Sequence, residues 1–330
     1  MGKEEERVRA VGVDLGGTNI RAILVDRQGT ILWRERGPTD AHLGPETVID
    51  NIVSLVSHVL ERKGVARELI EGVGVGTPGP LNPHTGVVYG APNLPGWEQI
   101  PLKERLEERL ELSIQVENDA NVAAWGEYRF GAGRGAQSLV CITLGTGLGG
   151  GIILGGEIWR GSAYMAGEIG HMIIERDGPS CNCGNRGCLE AFVSAASLRV
   201  RVREKLKDGG VASAIRPLVE QGEEVAPERL YQEAVKGDRF CREILREAGE
   251  RLGIGLINVI HILNPEVIVL TGGLMGAREI LLETALKEVE AKAFPWAALR
   301  TRIVPGELGD DAGPLGAAAL LFAKHQEVEL

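Results

Sequence analysis

The chain has 330 residues, 44% hydrophobic and 25% charged, with a formal net charge of −10, the composition of a globular protein long enough for a large core and two domains. The acidic balance argues against general nucleic-acid binding and against attraction to an anionic membrane surface. The opening segment MGKEEERVRA has no apolar h-region, so no secretory signal is read, cytoplasm is the expected compartment, and the cysteines are expected as thiols or ligands rather than disulfides.

The first elements read as three strands, VRAVGVDL, NIRAILVD and TILWRER. Gly16-Gly17-Thr18 makes the first break and Asp26 to Gly29 the second, and glycine-bearing turns between β-branched runs predict a meander. PETVIDNIVSLVSHVLERKG follows, with Val48, Ile49, Ile52, Val53, Val56 and Leu60 on one helical stripe. A short apolar strand, IEGVGVGTPGPL, breaks at Pro78-Gly79-Pro80. PLKERLEERL predicts a helix with Leu102, Leu106 and Leu110 at i, i+4 spacing, and SIQVEN predicts a strand ending at Asp119.

The second half restarts this plan. SLVCITL, GIIL and EIWRG read as strands separated by GTGLGG and GG. The uncharged run 138–156 is long enough to suggest a membrane span, but its glycine breaks make a hairpin the better reading. Segment 138–160 thus repeats the plan of 7–36, which implies two related halves, each opening on a glycine-rich hairpin. AFVSAASLRVRVREKL and CREILREAGERLGIGLINVIHIL predict helices, and the polar stretch KDGGVASAIRPLVEQGEEVAPE a surface loop or short helices. EVIVL predicts a buried strand leading into TGGLM and a helix, and the tail AGPLGAAALLFAKH another helix. The architecture is α/β.

Four segments carry chemistry. In GVDLGGTN a strand delivers Asp14, and Gly16 and Gly17 let backbone amides approach an anion while Thr18 adds a hydroxyl. A plain hairpin turn is the alternative. A carboxylate beside a phosphate loop suits Mg²⁺ held through water. In TLGTGLGGG the letters G-x-G-x-x-G run from Gly145 to Gly150, but a dinucleotide fingerprint needs a helix next and GIIL follows instead. Protein-kinase HRD and DFG motifs and a G-x-x-x-x-G-K-[ST] loop are absent from the sequence. Two hairpin phosphate loops facing a nucleotide are the best account, with Gly272 and Gly273 of TGGLM near the adenosine because they leave no side chain to obstruct it.

In VENDANVAAWGEY, Asn118 or Asp119 can cap the following helix. Asp119 can instead be the general base for a hydroxyl, as a carboxylate at the carboxyl end of a strand. Finally, Cys181, Cys183 and Cys188 stand within eight residues of CNCGNRGCLE, ten residues after His171 of GEIGH. Three sulfurs and one imidazole suit a closed, structural, tetrahedral Zn²⁺, although C-x-C departs from the commoner C-x-x-C. Such a knot would fix Glu168 and Glu190 relative to each other, and with Asn118 and Asp119 they make a hydrogen-bonding cage for a polyol. Cys141 and Cys241 read as core residues.

Together, DLGGT, Asn118-Asp119, LGTGLGGG, GEIGH, CNCGNRGCLE and TGGLM resemble the ROK family (repressors, open reading frames, kinases), and within it the bacterial glucokinases. The resemblance covers nearly the whole chain, in the family's motif order. It implies a two-domain, actin-like (sugar kinase/ribonuclease H-like) fold with ATP at a hinge and the active site in the inter-domain cleft. The expected division is a small domain over 1–118, with the C-terminal helix 313–330 packed back on it, and a large domain over 119–312 carrying the zinc site. Asp14, Gly16, Gly17, Thr18, Asn19, Gly145, Thr146, Gly147, Gly272 and Gly273 are expected at the nucleotide and its Mg²⁺. The resemblance implies Asp119 as base, with Gly79, Asn93, Asn118, Asp119, Glu168, His171 and Glu190 around the sugar. It also implies zinc on His171, Cys181, Cys183 and Cys188, and a homodimer or homotetramer. The first strand begins near residue 7, which leaves no room in this sequence for the helix-turn-helix of ROK repressors. The expected activity is ATP-dependent phosphorylation of a hexose at O6, most of all glucose, with N-acetylglucosamine, mannose or fructose as alternative substrates and a non-catalytic sugar sensor as the alternative class.

Overall fold

A computed structural model of the chain describes residues 9–62, 67–207 and 210–322. The start of the first strand before residue 9 and the part of the tail helix beyond 322 lie outside the described residues. The chain forms two compact units, one running to Cys141 with Gly151–Gly167 and the segment from Gly306, the other comprising Ile142–Gly150 and Glu168–Pro305.

In the first unit, β1 (Arg9–Leu15), β2 (Asn19–Asp26) and β3 (Ile31–Pro38) form the expected antiparallel meander. After α1 (Pro45–Arg62), β4 (Ile70–Thr77) joins parallel to β1. A small antiparallel sheet of β5 (Leu81–Asn82), β6 (Val87–Gly90) and β7 (Glu98–Pro101) precedes α2 (Leu102–Leu110). Then β8 (Ile114–Asn118) pairs parallel with β4 and runs directly into α3 (Asp119–Phe130). The sheet order is β3-β2-β1-β4-β8. On one face, the apolar stripes of α1 and α2 bury Ile49, Ile52, Leu102 and Leu106 against Val11, Val13 and Val75.

The second five-stranded sheet contains β9 (Ser138–Leu144), β10 (Leu148–Leu154) and the two-residue β11 (Glu157–Ile158). Helices α4 (Glu190–Val193), α5 (Ala195–Leu206), α6 (Arg216–Glu220), α7 (Pro227–Val235) and the 25-residue α8 (Arg239–Leu263) follow. The chain then makes β12 (Val267–Thr271), α9 (Arg278–Lys292), α10 (Pro295–Ala298) and β13 (Arg302–Pro305). The order is β11-β10-β9-β12-β13, so the second sheet repeats the plan of the first. The run 191–206, expected as one helix, is broken at Ser194, whose hydroxyl accepts the Ser197 N–H at 3.2 Å and caps α5. TGGLM leads first into a 3₁₀ turn, Gly273–Ala277, before α9 starts.

α11 (Ala312–Phe322) belongs to the first unit and explains its glycines. A Cβ on Gly74 of β4 would stand 1.8 Å from the Ala317 carbonyl oxygen, and one on Gly316 would stand 1.7 Å from that of Val122 in α3. The helix therefore lies directly on the β1–β4 backbone and crosses α3 at backbone distance. That packing puts α3 in the first unit, although it follows residue 118.

Candidate active site and metal centre

Asp14 is the penultimate residue of β1 and faces Arg21 across the β1–β2 ladder. Arg21 donates to Asp14 Oδ2 from Nη2 at 2.6 Å and from Nε at 3.1 Å. The turn after Asp14 is closed by the Gly16 N–H donating to the Asn19 carbonyl at 3.0 Å. Buried Thr39 holds it from outside: its hydroxyl donates to the Gly16 carbonyl at 2.6 Å, and its N–H to the Thr18 carbonyl at 2.9 Å. A Cβ on Gly17 would meet Asn93 Cβ at 3.1 Å, so the glycine turn and the Asn93 loop touch.

The parallel pairing of β4 with β8 sets Thr77 beside Asn118. The Pro78-Gly79 turn and the Asn118-Asp119 turn thus leave the same edge of adjacent strands. Gly79 has φ +92, and a Cβ there would lie 1.9 Å from the Gly90 carbonyl oxygen. A side chain is excluded both by conformation and by space. Segment 89–99 forms a surface hollow with Pro80, and its Trp97 is 2% exposed.

Of the two candidates for the cap of α3, Asn118 does the work: its Oδ1 accepts the N–H groups of Ala120 at 3.0 Å and Asn121 at 3.2 Å. Asp119 is the first helical residue, and its Oδ1 accepts the Ala120 N–H at 2.8 Å. Beneath this turn lies Glu117, which the sequence reading did not single out. It is buried, and it accepts from Asn118 N–H at 2.9 Å, Asn121 Nδ2 at 3.0 Å and Arg160 Nε at 2.6 Å.

In the second unit, the loop Gly145-Thr146-Gly147 joins β9 to β10 and is closed by the Gly145 N–H donating to the Gly147 carbonyl at 3.0 Å. The N-terminal amides of α5 donate to it, Ala195 to the Gly145 carbonyl at 3.0 Å and Ala196 to that of Thr146 at 3.3 Å. Gly272, at the end of β12 with φ +100, abuts the Leu144 carbonyl that leads into this loop; a Cβ there would stand 2.5 Å from the oxygen. At Gly273 the space is open, with only Glu228 at 4.0 Å. Glu190 begins α4, and its Oε2 accepts the Leu148 N–H at 2.7 Å.

His171, Cys181, Cys183 and Cys188 offer ligand atoms all within 4.8 Å of one another. The Cys183 and Cys188 sulfurs are 3.7 Å apart, and Cys181 Sγ lies 3.7 Å from His171 Nδ1. Tetrahedral zinc with Zn–S of about 2.3 Å separates two sulfurs by about 3.8 Å, so the set fits the ion. His171 Nε2 lies 3.9 Å from Glu168 Oε2. Without metal the three thiols differ in acidity. Burial pushes Cys181 up and Cys188 up to about 12, whereas the Asn185 backbone amide brings Cys183 down to about 7. A metal that binds thiolates levels such differences. Cys141 and Cys241 are buried in strand and helix, with burial raising both thiols.

The ROK family profile matches residues 10–324. A glucokinase of Thermotoga maritima is 36% identical over 315 residues, 96% of this chain and 98% of that protein. The crystal structure of a ROK family glucokinase from Streptomyces griseus in complex with glucose and AMPPNP is 34% identical, with a TM-score of 0.79 over 94% of this chain and 98% of that one. A xylose repressor of Caldicellulosiruptor bescii is 31% identical over 95% of this chain and 78% of its own length.

Proposed function

The chain belongs to the ROK family, and from that premise we propose that it phosphorylates glucose at the 6-hydroxyl, with ATP as donor. It is a kinase of the two-domain sugar-kinase fold. The observation that carries the reading is the 36% identity to a glucokinase over 96% of the chain, and the geometry at Asp119 supports it: with Asn118 capping α3, Asp119 is not needed as the cap.

Phosphoryl transfer asks the protein for alignment and charge stabilisation more than for covalent chemistry. Asp119 would align the 6-hydroxyl and take its proton. Asn118 spends Oδ1 on the helix amides, which leaves Nδ2 to donate to a neighbouring sugar hydroxyl. Gly79, Asn93, Glu168, His171 and Glu190 complete the sugar's surroundings. We assign the phosphates to the turns Gly16 to Asn19 and Gly145 to Gly147, and the adenosine to Gly272-Gly273. Asp14 keeps Oδ1 clear of Arg21, which bonds Oδ2, and would hold the nucleotide's Mg²⁺ through water. Zinc would be held by His171, Cys181, Cys183 and Cys188, and when bound it supplies folding energy to the segment between Glu168 and Glu190. With Nδ1 turned to the cluster, His171 presents Nε2 to Glu168 and the sugar.

No helix among the described residues is long and apolar enough to cross a membrane, and we place the protein in the cytoplasm. We also propose a homodimer or homotetramer, supported by the apolar surface of Phe294, Trp296 and Leu299 beside Ile262, each more than half exposed. The test of function is ADP release with Mg²⁺-ATP across glucose, N-acetylglucosamine, mannose and fructose. Glucose is expected to give the highest kcat/KM. Sugar binding with no ADP from any of them would support the alternative of a sugar sensor, which the similarity to a repressor raises.

A further inference from the structure

We infer that Glu117 and Arg160 are positioning residues for phosphoryl transfer: their ion pair fixes the turn that presents Asp119 and ties it to the loop that runs on to Glu168. The inference rests on the reading of Asp119 as the base.

Glu117 is 2% exposed, and removing a carboxylate from water is costly unless its oxygens are well paired. Here both are. Oε1 accepts the Asn118 N–H at 2.9 Å and Asn121 Nδ2 at 3.0 Å, and Oε2 accepts Arg160 Nε at 2.6 Å. Asn118 and Asn121 flank Asp119, so two of the three bonds act on the strand-to-helix turn that carries the base. An apolar residue at this end of β8 could fill the same space without the desolvation cost, but it could not orient that turn.

The third bond reaches further. Arg160 lies two residues after β11, with its side chain 31% exposed. Its own carbonyl accepts the Ala166 N–H at 2.9 Å, closing the loop from Arg160 to Ala166. Gly167 and Glu168 come next in sequence. One residue therefore grips the base turn with its guanidinium and the root of the Glu168 segment with its carbonyl. The planar guanidinium also reaches the Ile158 carbonyl from Nη1 at 3.4 Å while Nε serves Glu117, a division of donors that a lysine ammonium would not reproduce.

A pair that only stabilised the fold would lower the melting temperature and leave turnover per folded molecule intact. A pair that positions the base should lower kcat about 10- to 100-fold, since misplacement by about 1 Å costs on that order, while the KM values for glucose and ATP change less than about threefold. The experiment measures kcat and both KM values for Glu117→Gln, Arg160→Lys, Asp119→Asn and the double variant Asp119→Asn/Arg160→Lys, normalised to glucose-binding sites counted by calorimetry. The expected result is a kcat loss in both pair variants, and no further loss when Arg160→Lys is added to Asp119→Asn, because groups acting through one residue are not additive. Wild-type kcat per site in Arg160→Lys beside an inactive Asp119→Asn overturns the inference, as does a double variant whose losses multiply. Arg160→Lys keeps its charge at a partly exposed site and decides the matter where Glu117→Gln does not fold. An active Asp119→Asn overturns the assignment of the base instead.

Discussion

Glu190 accepts a hydrogen bond from the backbone N–H of Leu148 at 2.7 Å, while its other oxygen lies 3.9 Å from Cys181 Sγ. Leu148 follows the Gly145–Gly147 turn at once. The cysteine cluster is therefore wired, through one carboxylate, to the loop assigned to the phosphates as well as to the acids assigned to the sugar.

Zinc should accordingly be present at about one ion per chain, and Cys183→Ser should release it. Loss of a support to site residues typically costs about 10- to 100-fold. The expected outcome is a rise of about tenfold in the glucose KM, with a smaller rise for ATP transmitted through Glu190 and Leu148. Elemental analysis of protein purified without added zinc, with kinetics on both substrates, checks this. A metal-free preparation that is folded and fully active would sink the assignment.

Gly272 and Gly273 separate fold from ligand. Gly272→Ala forces a Cβ to 2.5 Å from the Leu144 carbonyl oxygen at φ +100, and should destabilise the protein by about 1–3 kcal/mol. Gly273→Val meets open space. It should leave the melting temperature unchanged and raise the ATP KM severalfold, with the glucose KM unaffected. Unchanged ATP kinetics in Gly273→Val would move the adenosine elsewhere.

Gly79→Ala offers the corresponding test on the sugar side. With φ +92 and the Gly90 carbonyl 1.9 Å from the new Cβ, the Gly79–Gly90 contact must open. The expected outcome is a melting temperature lowered by several degrees and a glucose KM raised more than that of ATP, read from thermal unfolding and steady-state kinetics.

What the sequence made legible were local signals. Strand alternation and glycine breaks predicted SLVCITL as β9 at the observed bounds Ser138–Leu144, and the likeness of 138–160 to 7–36 anticipated two sheets of one order. Four candidate ligands, one histidine and three cysteines within 18 residues, pointed to the cluster of His171, Cys181, Cys183 and Cys188 before any distance was known. Glu117, Arg160 and Thr39 stayed hidden because their partners are remote. Arg160 is 43 residues from Glu117, and Thr39 is 23 from Gly16, and no periodicity encodes such pairings. The packing role of the glycines of β4 and α11 stayed hidden for the same reason, since α11 meets the backbone of β4 from more than 200 residues along the chain.

Asp119 remains the residue on which the chemistry turns. From the sequence it could have been a helix cap, and Asn and Asp cap equally well, so a cap reading expects Asp119→Asn to be folded and nearly fully active. The structure assigns capping to Asn118, whose Oδ1 receives both the Ala120 and the Asn121 amides. Asn118→Ala should therefore cost about 1 kcal/mol of stability, and Asp119→Asn should cost little. In Asp119→Asn the shape and a hydrogen-bonding oxygen are kept, but the negative charge and the proton acceptor are lost. Removal of a general base typically lowers the rate by about 10²–10⁴-fold, so kcat should fall on that scale while glucose still binds, several-fold more weakly. Turnover and glucose affinity by calorimetry, taken on the same preparations, test both statements. A variant with wild-type kcat would remove Asp119 from the mechanism.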